Sequence, residues 1–271
     1  MNTFIVQPPT KEVLALCDDA DSLIERYLAC FRACLDKPAW RVGRCRFEAE
    51  AEAYTILKLL IRHLESVCAL ARHDLVLLPS AIVLSRATFE ASVRVRWMLR
   101  PVDPYEREVR WVLHLRSGIE QFCKLEQNKH TPKDIAAAYG LRRQAYAQFD
   151  AAMSKLLTEE GYTVPKQAPN IWEMLKDIGN PQFYRFYILL SAFTHTNFEA
   201  GNFYRKNLGN ARKMGEFIKP QDWRLPLEVA WKSFFLTARD FLYWIEADMA
   251  KFSGETLFKD FETNLSQLSA G

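Results

Sequence analysis

The stretch LVLLPSAIVLSRATFEASV, Leu75 to Val93, decides the fold. Its apolar residues recur at helical rather than alternating spacing, and Pro79 suits the first turn of a helix that stops before Pro101. Arg86 and Glu90 are its only ionisable residues. Four positions apart, they lie one above the other on a single helix face. A charged pair in so apolar a rod must be matched and hydrogen-bonded, or must face a pocket, because an unpaired buried charge costs several kcal/mol.

The flanking sequence continues in the same period. Thr10 can cap a helix running to about Asp36, ended by Pro38. A long second helix covers roughly Arg44 to Arg72, with Tyr54, Leu57, Ile61, Leu64 and Cys68 on one side. After the central stretch, Pro104 opens a helix to about Asn128, and Thr131-Pro132 another to about Glu160. GYTVPKQAPN, Gly161 to Asn170, is the clearest loop. A short helix, Ile171 to Ile178, precedes an aromatic one from Gln182 to about His195. Gly201 to Asp222 reads as an exposed connection, Leu225 to Phe252 as one amphipathic helix, and Glu255 to Leu268 as a terminal one. Long helices with short connections predict an all-α, single-domain helical bundle of about eight helices over residues 1–271. Its core spans about 44–207, and the helices of 225–271 pack on it.

Composition bounds the function. The chain has 271 residues, 49% apolar and 25% charged, as an ordinary globular protein does, and its net charge of +3 gives no bulk reason to seek nucleic acid or a membrane. Pro79, Arg86 and Glu90 argue against a membrane span, and MNTFIVQPPTKE carries no signal-peptide pattern. The six cysteines sit inside helical patterns without scaffold density, as free thiols in a reducing cytoplasm would. Cys30 and Cys34, at i and i+4, could both touch a metal, yet they lack the companion ligands of a metal site. No Glu-x-x-His, H-E-x-x-H, Walker A or G-x-G-x-x-G occurs, so no metal and no cofactor is expected.

A second apolar segment, FYRFYILLSAFTHTNF, Phe183 to Phe198, carries its own polar positions: Ser191 and His195 four apart, with Tyr187 one turn before and Asn197 just beyond. A histidine here can pass a proton near neutral pH; equally it can be a satisfied capping residue. Ser191 has no nucleophile elbow around it. Arg94 continues the Arg86 helix, where a solvated face competes with phosphate binding. Arg110 and His114 form another i,i+4 pair that could contact RNA phosphate, unless Arg110 pairs with Glu106 on its own helix.

The segment LSRATFEASVRVRWMLRP, followed later by FYILLSAFTHTNF, resembles a bacterial domain-of-unknown-function family of all-helical, HEPN-like proteins. The resemblance lies in an Arg-x-x-x-Glu helix ending at a Trp and a Tyr-x-x-x-Ser-x-x-x-His helix downstream, here Arg86, Glu90, Trp97, Tyr187, Ser191 and His195. It covers roughly Ala49 to Asn207. It implies an RNA-directed effector of the toxin or anti-phage kind, a dimer, with ribonuclease activity in many members. The usual HEPN signature, Arg then four to six residues then His, is missing: Arg185 lies ten positions before His195, and Arg110 four before His114.

Two functions of different class follow. In the first, a metal-independent ribonuclease, His195 is the acid or base, Glu90 orients it and Arg86 grips phosphate. Ser191, Tyr187, Asn197, Arg94, Arg110 and His114 contribute to binding RNA. In the second, a non-catalytic interaction module, the polar pairs only fix helix register, and an exposed aromatic patch lies elsewhere, around Trp223 to Trp244.

Overall fold

The computed structural model describes residues 6–35, 47–195, 198–206, 213–214, 216–254 and 256–270. It is an all-α bundle: α1 (Lys11–Leu35), α2 (Glu48–His73), α3 (Leu78–Leu99), α4 (Pro104–Gln127), α5 (Lys133–Glu159), α6 (Ile171–Asp177), α7 (Tyr184–Thr194), α8 (Arg224–Trp244), α9 (Met249–Ser253) and α10 (Leu257–Ala270). A two-residue antiparallel ladder pairs Arg205–Lys206 with Lys213–Met214. Buried side chains from α1 to α10 form one contiguous core.

The opening stretch becomes α3, the hub, which packs on α2, α8, α7, α6 and α4. Both of its apolar stripes are used: Ile82, Phe89, Val93 and Trp97 on one side, Thr88, Val95 and Met98 on the other, all buried. Against α8 the contact runs through small polar residues. Ser92 donates to the Ser233 carbonyl at 3.0 Å, and the Thr237 hydroxyl lies 2.7 Å from the Ser92 oxygen. Short side chains let the two backbones approach, and their hydroxyls are satisfied within the interface. Leu75–Leu99 is long and apolar enough to cross a membrane, but 44% of that apolar window is buried inside this fold, as in the core helix of a bundle, and Ser80, Val83 and Ala87 form its exposed side.

Helix starts follow the expected chemistry. Asp103 accepts from the Tyr105 N–H at 2.8 Å ahead of α4, and Asn170 with Glu173 builds a reciprocal capping box at the start of α6. The aromatic helix starts later than its sequence suggests, because Pro181–Phe183 forms a 3-10 turn before α7. The C-terminal amphipathic stretch is a correction, since it is two helices. α8 stops at Trp244 in a Schellman turn, with Glu246 at φ 55; the Glu246 N–H reaches the Tyr243 carbonyl at 3.0 Å and the Ala247 N–H the Leu242 carbonyl at 2.9 Å. Asp248 then accepts from the Lys251 N–H to start α9.

The aromatic patch expected around Trp223 to Trp244 is also corrected. Trp223, Trp231, Phe234 and Phe241 are buried, and only Tyr243 stands well out. The connection 201–222 is not wholly exposed either, since Ile218 is buried. Cys17, Cys30, Cys34 and Cys68 are buried and Cys123 is half-buried, all as free thiols. Among the described residues no cluster of metal-ligating side chains forms.

Candidate functional site

α3 and α7 run antiparallel, and three contacts fix their register. Arg96 donates to the Asn180 side chain at 3.0 Å, Phe89 meets Phe186 edge-to-face at 6.5 Å, and the Arg86 guanidinium carbon lies 5.0 Å from the centre of the Tyr187 ring. The contact between the two polar segments is therefore Arg86 on Tyr187. Arg86 is also held from its own helix, where its Nε donates to Glu90 Oε1 at 2.7 Å. The Arg86 side chain is 12% exposed and that of Glu90 29%. The pair is thus a clamp at the rim of the bundle. Its Nη1 is buried and meets no acceptor among the described residues, so one donor of a guanidinium of fixed orientation is unmatched there.

Tyr187 passes this contact on to an aromatic cleft. It stacks on Tyr184 at 5.5 Å and 17°, Tyr184 leans on Trp172 at 5.2 Å, and the Lys176 ammonium lies 5.6 Å above the Trp172 ring. Asn170, Ile171, Trp172, Tyr184 and Tyr187 enclose an open cleft of ≈ 450 Å³. Three aromatic faces between two cations, Lys176 and Arg86, form a row that can receive a planar, anionic ligand by stacking and charge. The i,i+3 spacing of Tyr184 and Tyr187 was visible in FYRFY. Trp172 and Asn170 come from a different helix, and nothing local in the sequence joins them to it.

His195 is elsewhere. It is exposed, one position past the end of α7, and among the described residues only its backbone N–H is tied, to the Ser191 carbonyl at 3.1 Å. In the antiparallel register Glu90 lies one turn beyond Arg86 and His195 two turns beyond Tyr187 in the opposite direction. At about 1.5 Å per residue they stand roughly 18 Å apart along the shared axis. Glu90 orients Arg86 and does not reach His195. The Ser191 hydroxyl donates to the Tyr187 carbonyl of its own helix, an ordinary way for a helical serine to be satisfied. Asn197 lies outside the described residues.

The remaining candidates fall into other contacts. Arg110 does not pair with Glu106. It donates to Asp177 at the end of α6 and to the Trp97 carbonyl, with its guanidinium carbon 5.1 Å from the Trp97 ring centre. His114 Nε2 lies 3.6 Å from Glu52 of α2, while its Nδ1 is buried without a partner among the described residues. Arg94 is half-buried and makes no hydrogen bond or ion pair among the described residues. None of these three touches the aromatic cleft.

The model of a family of unknown function, DUF5677, matches residues 53–211. The chain belongs to that family. The matched span holds α3, the α4–α5 hairpin, α6 and α7, and hence Arg86, Glu90, Tyr187 and the whole aromatic cleft; α8 to α10 lie outside it. Neither a curated protein nor a solved structure matches this DUF5677 chain.

Proposed function

We propose that this DUF5677 protein is an HEPN-like, RNA-directed effector of bacterial toxin or anti-phage type. In this reading it holds single-stranded RNA in the cleft between α6 and α7. The observation that carries it is the Arg86 guanidinium, fixed by Glu90, with an Nη1 that has no acceptor among the described residues, seated over Tyr187, whose ring lines the open aromatic cleft. Unstacked bases bind proteins by stacking on such rings, while an arginine fork takes the phosphate. His195, exposed about 12 Å further along α7 than Tyr187, is the group that would move a proton on a strand leaving the cleft. Glu90 acts on Arg86, not on His195.

A second reading, a non-catalytic RNA-binding or interaction module, is favoured by one observation. His195 has neither an acid nor a base beside it among the described residues, and the Ser191 hydroxyl is spent on its own helix.

The binding test is anisotropy of a labelled single-stranded RNA oligonucleotide, with a duplex of equal length for comparison. Loss of binding in Arg86→Ala and Tyr187→Ala proteins that melt like the wild type supports the RNA reading, and full binding by both variants ends it. Induced expression in a bacterial host separates the two classes. Growth arrest with RNA cleavage, lost in His195→Ala, marks a ribonuclease; bound but intact RNA marks the module.

A further inference from the structure

α5 is a helix without enough neighbours. It runs for 27 residues, yet only Gly140 and Leu157 are buried, and among the described residues its substantial packing is against α4 alone. That side is well made. Arg116 reaches Asp150 at 2.9 Å, Arg143 pairs with Glu126, and Phe122 stacks on Tyr139. The side turned away from α4 carries Ala138, Leu141, Ala145, Ala152 and Leu156, all exposed, with Phe149 at its margin, exposed on one side while its ring meets Trp111 of α4 edge-to-face at 5.5 Å. Leu141 is 69% exposed, Leu156 56% and Phe149 42%. Their spacing of three or four residues places all six within roughly 80° of arc, at about 100° per residue. This is an apolar seam on a surface that protein interiors normally claim.

We propose that this seam is the two-fold interface of a homodimer, with a second α5 laid antiparallel across it about residue 147. In that register Ala138 faces the partner's Leu156, Ala145 faces the partner's Phe149, and Leu141 comes within one residue of the partner's Ala152, about 1.5 Å along the axis. Each large side chain meets an alanine, and the pattern repeats when the two copies are exchanged, as an isologous contact requires. A parallel pairing would set Leu141 on Leu141 and Ala145 on Ala145, alternating crowding with gaps. The flank also agrees: Lys133 comes within two residues, about 3 Å along the axis, of the partner's Glu159, and Gln144 as near to the partner's Gln148. This size pattern fits a second copy of the same helix better than an unrelated surface, which would have no reason to match it. Six residues per copy make a small interface, near the low end for specific association, about 1,000 Å² in total. The dimer is therefore concentration-dependent, and it stands apart from the RNA reading because the cleft is not on α5.

Sedimentation equilibrium on the full chain, from low to high micromolar, tests the proposal. The wild type should pass from monomer to dimer, and Leu141→Asp should stay monomeric with an unchanged melting curve. Leu141→Ala and Ala152→Leu, taken singly, should each weaken the dimer by about tenfold, the first by setting alanine on alanine and the second leucine on leucine. The double variant Leu141→Ala/Ala152→Leu restores small against large, so it should regain wild-type association. A wild type that stays monomeric, a Leu141→Asp protein that still dimerises, or a double variant that merely adds the two losses would each overturn it.

Discussion

Glu50 of α2 and Arg107 of α4 form the most buried ion pair among the described residues, 3.0 Å apart with side chains 4% and 9% exposed. Arg107 also donates to the Pro101 and Val102 carbonyls, each at 3.0 Å, so one guanidinium ties the start of α2 to the turn between α3 and α4. Breaking one side of such a pair leaves a charge stranded. Arg107→Leu should lower unfolding stability by about 3–5 kcal/mol, and the double change Glu50→Leu/Arg107→Leu should recover most of it. Urea unfolding measures both. A single variant within about 1 kcal/mol of wild type would mean that Glu50 finds water or another partner.

Beside that pair, Glu108 is 2% exposed; its Oε1 accepts the Ala49 N–H at 2.8 Å and its Oε2 has no partner among the described residues. Burial pushes its pKa up, the N–H groups of Ala49 and Glu48 pull it partly back, and the charges of Glu48 and Glu50 raise it again. A carboxyl whose folded pKa is raised holds its proton more tightly in the native state. Its favourable contribution is present below the unfolded value and is lost as pH rises through the folded one. Glu108→Gln keeps an acceptor for Ala49 and removes the charge. The variant's Tm advantage over wild type should therefore be small near pH 4 and grow toward pH 7. An advantage that shrinks over that range would put the sign of the shift in error.

The clamp on Arg86 separates charge from shape. Arg86→Lys keeps the charge but loses the planar fork that reaches Glu90 and lies on Tyr187, so RNA affinity should fall nearly as far as in Arg86→Ala. Tyr187→Phe keeps the ring and should bind as wild type, while Tyr187→Ala should lose about 1–3 kcal/mol of stacking. Anisotropy titrations at two salt concentrations read all four. If Arg86→Lys binds normally, Arg86 is only a point charge and the fork has no role.

What could be read from the sequence, and what could not, divides by distance along the chain. Arg86–Glu90 was legible because i,i+4 geometry is local, and α3 to α5 were legible because prolines mark their starts. Arg110 went to Asp177 rather than to Glu106 because helix packing brought a partner 67 positions away. Glu50, Arg107 and Trp172 were missed for the same reason: an acid in a first helical turn or an aromatic after a loop looks ordinary until tertiary contact gives it a neighbour. The end of α8 is a different kind of miss. The left-handed turn falls on Glu246, where neither glycine nor proline marks a stop, and the buried Ile245 just before it read as one more apolar helical position.

The last prediction concerns the helices outside the span shared with the family. Trp231 of α8 lies face-on to Phe261 of α10, 4.0 Å between ring centres and 6° from parallel, and both side chains are buried. On the same helix Asn264 donates to Asp19 of α1 at 2.8 Å, and Leu257, Leu265 and Leu268 are buried, so α10 closes the end of the core formed by α1 and α8. Phe261→Ala should cost about 3–5 kcal/mol, because it removes one of the two rings stacked on Trp231, Phe235 at 5.1 Å being the other, and leaves a cavity in a buried aromatic cluster. A chain ending at residue 253 should lose more, exposing Trp231 together with the α1 face. Trp fluorescence followed through urea unfolding reports both changes. A truncated protein with the wild-type midpoint and an unshifted emission maximum would show that α10 is not part of the core, and that Trp231 is covered by other residues.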